Sequence, residues 1–196
     1  NTANPAILYL LKKNQQENIC EFFISQDGGT SWKISNNGWY HSDDPNRYCE
    51  GGRIGVTHAD PNRVYAYLIG DSKAGDSGFI GLFRSDDGGQ NWILPNGPVG
   101  GPYSTDHPNT TTFDNGVNET YHQGFYNCAL MVSNTDPNNV LIGGLNLWRS
   151  FDGGATMEPW AGYFGGKISI HVDMQDFRAF GDDYYIELQR HKTDKP

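Results

Sequence analysis

Positive charge, cysteine and long apolar runs are all scarce in this chain, and each shortage excludes something. Lys and Arg together number 14 against 23 Asp and Glu, giving a formal net charge of -9, and no Lys/Arg-rich run occurs. Binding nucleic acid through its backbone needs a concentrated basic face, so a nucleic-acid partner is not expected. No stretch approaches the ~18 consecutive apolar residues of a membrane-spanning helix, so no transmembrane segment is expected. The chain opens Asn1-Thr2-Ala3 without a signal peptide, as a mature or excised product also would. Cys20, Cys49 and Cys128 are odd in number and form no CxxC pair. One disulfide with a spare thiol and three buried thiols both remain open. No G-x-S-x-G elbow, phosphate-binding loop or dinucleotide fingerprint is present, so the glycines read as hairpin glycines.

Aromatics and glycine are abundant. Tyr, Phe and Trp make up 13% of the 196 residues, and Gly contributes 25, while charged residues reach only 19%. That balance suits short strands joined by tight turns and not disorder, which is aromatic-poor. Asn109-Thr110-Thr111 and Asn118-Glu119-Thr120 are glycosylation acceptor patterns that matter only in a eukaryotic secretory setting.

Aligning the chain with itself superposes three segments: Ser25-Gln26-Asp27-Gly28-Gly29-Thr30-Ser31-Trp32, Ser85-Asp86-Asp87-Gly88-Gly89-Gln90-Asn91-Trp92, and Ser150-Phe151-Asp152-Gly153-Gly154-Ala155-Thr156-Met157. The corresponding aspartates lie 60 and then 65 positions apart. Such a period calls for a repeat architecture. Apolar runs precede each copy at 20–24, 81–84 and 146–149. Farther upstream lie 6–11, 63–69 and 139–143, and two of these follow further runs at 52–57 and 128–133. Asp60-Pro61-Asn62 and Asp136-Pro137-Asn138 mark turns, because Pro fixes φ while Asp and Asn side chains bond nearby backbone.

One unit thus reads as strand, turn, strand, variable loop, strand, Asp-Gly-Gly hairpin and final strand. The expected fold class is all-β, with propeller blades of four antiparallel strands. The units fall at 1–38 (the end of a blade), 51–94, 127–160 and 167–196 (the start of a further blade), the last opening with strands at 168–172 and 183–188. A closed ring takes roughly 4–8 blades, so a partial propeller is expected over a compact three-repeat sandwich. The remaining blades, or another protein chain, are its expected partners.

Asp-Gly-Gly between apolar runs is a hairpin signal because Gly tolerates positive φ. Asp27, Asp87 and Asp152 can accept turn N–H groups, and Ser25, Ser85 and Ser150 add hydroxyl bonds. Gly29, Gly89 and Gly154 complete the turns. Trp32 and Trp92 offer faces to pack between sheets; Met157 replaces Trp in the third copy, with Trp160 nearby to compensate. A calcium loop is the competing reading, yet no copy has the 12-residue ligand spacing or its terminal Glu. No cofactor is expected, a structural calcium ion being the one left open.

Ser-x-Asp-x-Gly-x-x-Trp resembles the Asp-box, or BNR repeat, of sialidases, xyloglucan-active glycoside hydrolases and sortilin-like receptors. The first two copies match the pattern and the third departs at Met157. Residues 136–157, 124–127 and 171–176 look most like secreted bacterial propellers of the xyloglucanase group. The resemblance implies Asp-boxes on the outer part of each blade, away from a central ligand-binding face. It also implies secretion or cell-surface use, often on glycans. Activity does not carry over: no sialidase arginine cluster is complete among Arg47, Arg53, Arg63, Arg84, Arg149, Arg178 and Arg190, and no xyloglucanase acid pair is matched.

The candidate ligand-binding residues are Trp39, Tyr40 and His41 in the first unit and Tyr121, His122, Gln123 and Tyr126 after the polar segment 95–119. Aromatics there can stack on sugar rings while amides bind hydroxyls. His171, Asp173 and Asp176 are candidate metal ligands, with His171 and Asp173 on one face if the segment is a strand. Catalytic residues are not assigned. A glycosidase needs two carboxyls roughly 5–5.5 Å or 6.5–9.5 Å apart, drawn here from Asp43, Asp44, Asp114, Glu119, Asp173 and Asp176. Three readings follow: a non-catalytic extracellular binding or scaffold module, a glycoside hydrolase module, and a structural subunit of a surface assembly. Aromatics on one open face, two convergent carboxylates, or blade edges paired with another copy would separate them.

Overall fold

Val64-Tyr65-Ala66-Tyr67-Leu68-Ile69-Gly70 is apolar on both sides of its pleat, the composition of a strand covered on two faces. Leu8-Tyr9-Leu10-Leu11-Lys12-Lys13-Asn14 is covered on one face only. That contrast organises the computed structural model, which describes residues 1–17, 19–40, 49–70, 79–96, 110, 124, 126–163, 166–171, 173–180 and 183–188.

Among the described residues there are twelve strands and no helix. They are β1 (Leu8–Asn14), β2 (Ile19–Ser25), β3 (Lys33–Ile34), β4 (Cys49–Val56), β5 (Val64–Gly70), β6 (Phe79–Ser85), β7 (Ala129–Val132), β8 (Val140–Gly143), β9 (Leu147–Ser150), β10 (Glu158–Ala161), β11 (Met174–Phe180) and β12 (Asp183–Leu188). Four antiparallel sheets result, ordered β1-β2-β3, β4-β5-β6, β10-β9-β8-β7 and β11-β12. An isolated bridge between Arg84 and Ile93 marks the fourth-strand position of the second sheet. The fold is all-β, a partial propeller. The last sheet opens at Met174 and not at 168–172, because Asp173 has a φ of 70° and breaks the extended run just before it.

Sheets stack in chain order, with β1 beside β4, β4 beside β7 and β7 beside β11. Between the first and second sheets lie Phe22, Val64, Ala66, Leu68, Phe83 and Trp92. Between the second and third lie Tyr65, Tyr67, Leu82, Leu130, Ile142, Trp148 and Met157. Met174 and Phe177 pack against Met131, Leu141 and Leu147 of the third. The second sheet is therefore filled on both faces, and every residue of β5 is buried.

Trp92 and Met157 hold one repeat position and both are buried, each among residues of the preceding sheet. Trp148 shares the Met157 cluster, so it supplies the aromatic bulk there. Trp160 lies on the other side, with Arg149 and Lys167 over its ring. Trp32 holds the same position in the first unit but is 39% exposed, beside Leu8, Leu10 and Ile34 at 37%, 41% and 50%. No described sheet precedes the first, so that face is uncovered.

One disulfide joins Cys20 on β2 to Cys49 on β4, tying the first sheet to the second, while Cys128 is a buried thiol. Burial pushes that thiol up to about 12, with the charge of Arg53 acting weakly against it.

Trp92→Ala is expected to cost about 3–5 kcal/mol, and Trp32→Ala about 1 kcal/mol or less, by chemical denaturation. Cys20→Ser with Cys49→Ser, opening a 29-residue separation, should cost about 3–4 kcal/mol by the same measurement.

Candidate functional site

The two ends of the sheets carry different chemistry. At one end, Ser25, Ser85 and Ser150 close β2, β6 and β9, and each is 1% exposed. Each hydroxyl donates to the first oxygen of the following aspartate, Asp27, Asp87 or Asp152, at 2.8 Å. The same hydroxyl accepts the N–H of Gly29, Gly89 or Gly154 at 2.8 Å. Both glycines of every turn have φ between 69° and 93°, a region costly for a side-chain-bearing residue. The aspartate's first oxygen also accepts the N–H four residues on, from Ser31, Asn91 or Thr156. Its second oxygen accepts those residues' side-chain donors. A polar donor four places after each aspartate was the sequence signal for this role, which the motif pattern alone passes over.

These bonds hold the carboxyls low. Ser31 chiefly, with Ser25, holds Asp27 at about 2. Partial burial pushes Asp87 and Asp152 up, but bonds from Asn91, Ser85 and Gln90, and from Thr156, Ser150 and Ala155, bring them below the usual range. The first glycine of each turn also donates its N–H to a second turn at the same end: Gly28 to Ala6, Gly88 to Asn62 and Gly153 to Asn138. Asn4-Pro5-Ala6 is thus a third copy of the Asp-Pro-Asn turn. Asn4, Asp60 and Asp136 each use a side-chain oxygen to accept the N–H two residues on.

The opposite end carries a cleft of about 250 Å³ lined by Lys13, Glu50, Arg53, Tyr126 and Cys128, with Gly51 and Gly52 among its other walls. Antiparallel register places it there: Lys13 pairs with Cys20 and Ile69 with Phe79, whereas Leu8 pairs with Ser25 and Val64 with Ser85. Five residues of strand separate the two ends, roughly 17 Å. Tyr126 is 46% exposed. A Cβ on Gly52 would lie 2.4 Å from the Tyr67 carbonyl, whereas one on Gly51 would meet nothing within 4 Å. Gly52 thus lets β4 approach its neighbours, and Gly51 leaves open space.

Of the other ligand-binding candidates, Trp39 is a core residue. Its indole N–H donates to the Cys20 carbonyl at 2.7 Å, and its ring meets Phe22, Phe83 and Trp92. An indole needs a partner for its N–H when buried, and the first two sheets supply it. Tyr40 packs on Phe83 beside it. His41, Tyr121, His122 and Gln123 lie outside the described residues, as do the carboxylates Asp43, Asp44, Asp114 and Glu119. Within the long polar segment Thr110 is described: fully buried, its hydroxyl accepts from Tyr67 at 2.6 Å and its carbonyl accepts the N–H groups of Leu145 and Asn146.

His171, Asp173 and Asp176 are not gathered. Asp173 accepts the side-chain amide of buried Asn127 at 2.9 Å, and Asp176 pairs with Arg178 at 3.1 Å. Neither His171 nor Asp173 lies in a strand, so the alternation expected to put them on one face does not apply. Among the described residues, no three His, Cys, Asp or Glu side chains come together as a metal centre.

No family model and no curated protein matches the chain. Solved structures do. A GH74 xyloglucanase from Xanthomonas campestris aligns with a TM-score of 0.51 and 16% identity over 81% of this chain and 22% of that one. A GH74 enzyme from Niastella koreensis aligns with a TM-score of 0.55 and 19% identity over 95% of this chain and 24% of that one. Both are β-propeller proteins, and likeness at this identity is one of fold. The chain spans about a quarter of the length of either.

The turn carboxylates set an acid limit with a definite sign. Their folded pKa values are depressed, so their stabilisation is present above the ordinary carboxylate range near ~4 and is lost as pH falls through the lowered values, about 2 for Asp27. Thermal melting followed from pH 6 to pH 2 should show that loss, and a variant with Asp27, Asp87 and Asp152 all changed to Asn should melt lower with a flatter pH profile. Asp87→Ala alone is expected to cost about 1.5–3 kcal/mol, the range for hydrogen bonds to a charged group.

Proposed function

We propose that this chain forms part of an Asp-box propeller that binds glycans outside the cell, without catalysing their cleavage. The Ser-x-Asp-x-Gly turns are architectural in this reading, because their carboxylate oxygens are taken up by their own turns. The observation that carries the reading is the cleft at the opposite end, which half-exposed Tyr126 lines together with Gly51, Gly52, Lys13, Glu50 and Arg53. A sugar ring can stack on such an aromatic face while polar groups take its hydroxyls.

The Cys20–Cys49 disulfide supports a secreted or cell-surface setting, since such bonds persist in oxidising compartments. Further blades, in the same polypeptide or another chain, would cover the open face of the first sheet at Leu8, Leu10, Trp32 and Ile34. A subunit role in a surface assembly would use that same face. No cofactor enters the binding reading.

The second reading, a glycoside hydrolase module, draws on the fold shared with GH74 enzymes. Among the described residues Glu50 is the one carboxylate lining the cleft, whereas paired acid–base hydrolysis needs two convergent carboxyls. Binding is therefore the better-supported function.

Titration calorimetry of the whole chain against a panel of oligosaccharides tests this. A bound glycan is expected, with Tyr126→Ala weakening it about tenfold, the size of a lost stacking contact, at unchanged melting temperature. Absence of glycan binding, or binding indifferent to Tyr126, would overturn the proposal.

A further inference from the structure

The charges at the cleft run against those of the rest of the protein. Acidic residues outnumber basic ones by 23 to 14, so the average field repels anions. Of the three charged groups that line the cleft among the described residues, two are cations: Lys13 near the end of β1 and Arg53 on β4, with Glu50 the third. Most cations placed near an acid are already engaged elsewhere. Arg63 and Arg84 hold Asp86, Lys167 holds Glu158, and Arg178 holds Asp176. By contrast, Lys13 enters no ion pair among the described residues, and Arg53 reaches only the neighbouring Gly52 carbonyl at 3.4 Å. Both side chains are exposed.

Gly51, Gly52 and Tyr126 line the same cleft, and a Cβ on Gly51 would meet nothing within 4 Å, which leaves room beside the backbone. A planar guanidinium favours a carboxylate or sulfate through paired N–H bonds, and a lysine adds a mobile point charge. A neutral sugar would leave both charges unused.

We infer that the cleft selects an anionic oligosaccharide, its acidic group set against Lys13 and Arg53 and its ring against Tyr126. This rests on the glycan-binding reading and narrows its ligand. Carboxylate and sulfate share the required chemistry, and the source is a matter for the test.

The test is calorimetry of the whole chain against three tetrasaccharides of matched length: neutral, uronate-bearing and sulfated. At least one acidic form should bind about tenfold or more tightly than the neutral one, and the margin should shrink in about 0.5 M NaCl. Arg53→Gln and Lys13→Gln, both surface changes, should each remove most of that margin, the acidic form falling toward the neutral one, while leaving the melting temperature unchanged. Equal binding of neutral and acidic forms, or a margin unaffected by both variants, would overturn the selection while leaving glycan binding standing. Binding of no tetrasaccharide would overturn both.

Discussion

A buried serine hydroxyl at the end of a strand is the interaction on which this structure depends. Ser25, Ser85 and Ser150 each accept one turn glycine N–H and donate to one carboxylate. Two consecutive glycines at positive φ are needed to bring those groups within reach. The locked turn then presents the N–H of Gly28, Gly88 or Gly153 to an earlier turn of its unit, which for Gly88 and Gly153 joins two strands. Two turns are thereby fixed to each other at one end of each of the first three sheets, their polar groups satisfying one another.

Packing between sheets follows from that fixed geometry. A Cβ on Gly89 would meet Phe22, Ile24 and Tyr9 of the first sheet, and one on Gly154 would meet Leu82 of the second. Each turn therefore lies against the sheet before it, and the Trp92 or Met157 position follows it inward. Further bonds run between units: Thr57 donates to the Ser133 carbonyl at 2.5 Å and Tyr65 to the Pro137 carbonyl at 2.7 Å. Such stacking is nearest-neighbour in character, so a sheet lacking a neighbour keeps an open face without unfolding the next.

The sequence made the repeat legible because its turn chemistry is local. Asp-Gly-Gly and Asp-Pro-Asn carry their conformational demands in adjacent residues, and the strands beside them appear within a few residues of their expected bounds. Asn4-Pro5-Ala6 escaped notice because Asn replaces Asp and Ala replaces Asn, although the same carbonyl is used. The start of β11 was misplaced because apolar Ile168 and Ile170 mimic a strand, while the positive φ of Asp173 has no signature in residue type. The candidate cleft was only partly readable. Its lining includes residues of β1, β2, β4, β5 and the approach to β7, so Lys13, Arg53 and Tyr126, far apart in sequence, meet only through the tertiary fold. Trp39 looked like a sugar platform, yet its fate was decided by Phe22 and Trp92, residues distant in sequence.

The architectural turns and the cleft proposed for recognition thus lie at opposite ends of the same strands. The division requires the turns to be as firmly held as the core they organise. Native-state amide hydrogen exchange at Gly88 and Gly153 tests this most directly. If the turns hold the sheets, those amides exchange only on global unfolding, with the same opening free energy as the Tyr67 amide in β5. Exchange at rates typical of exposed loops would contradict the account.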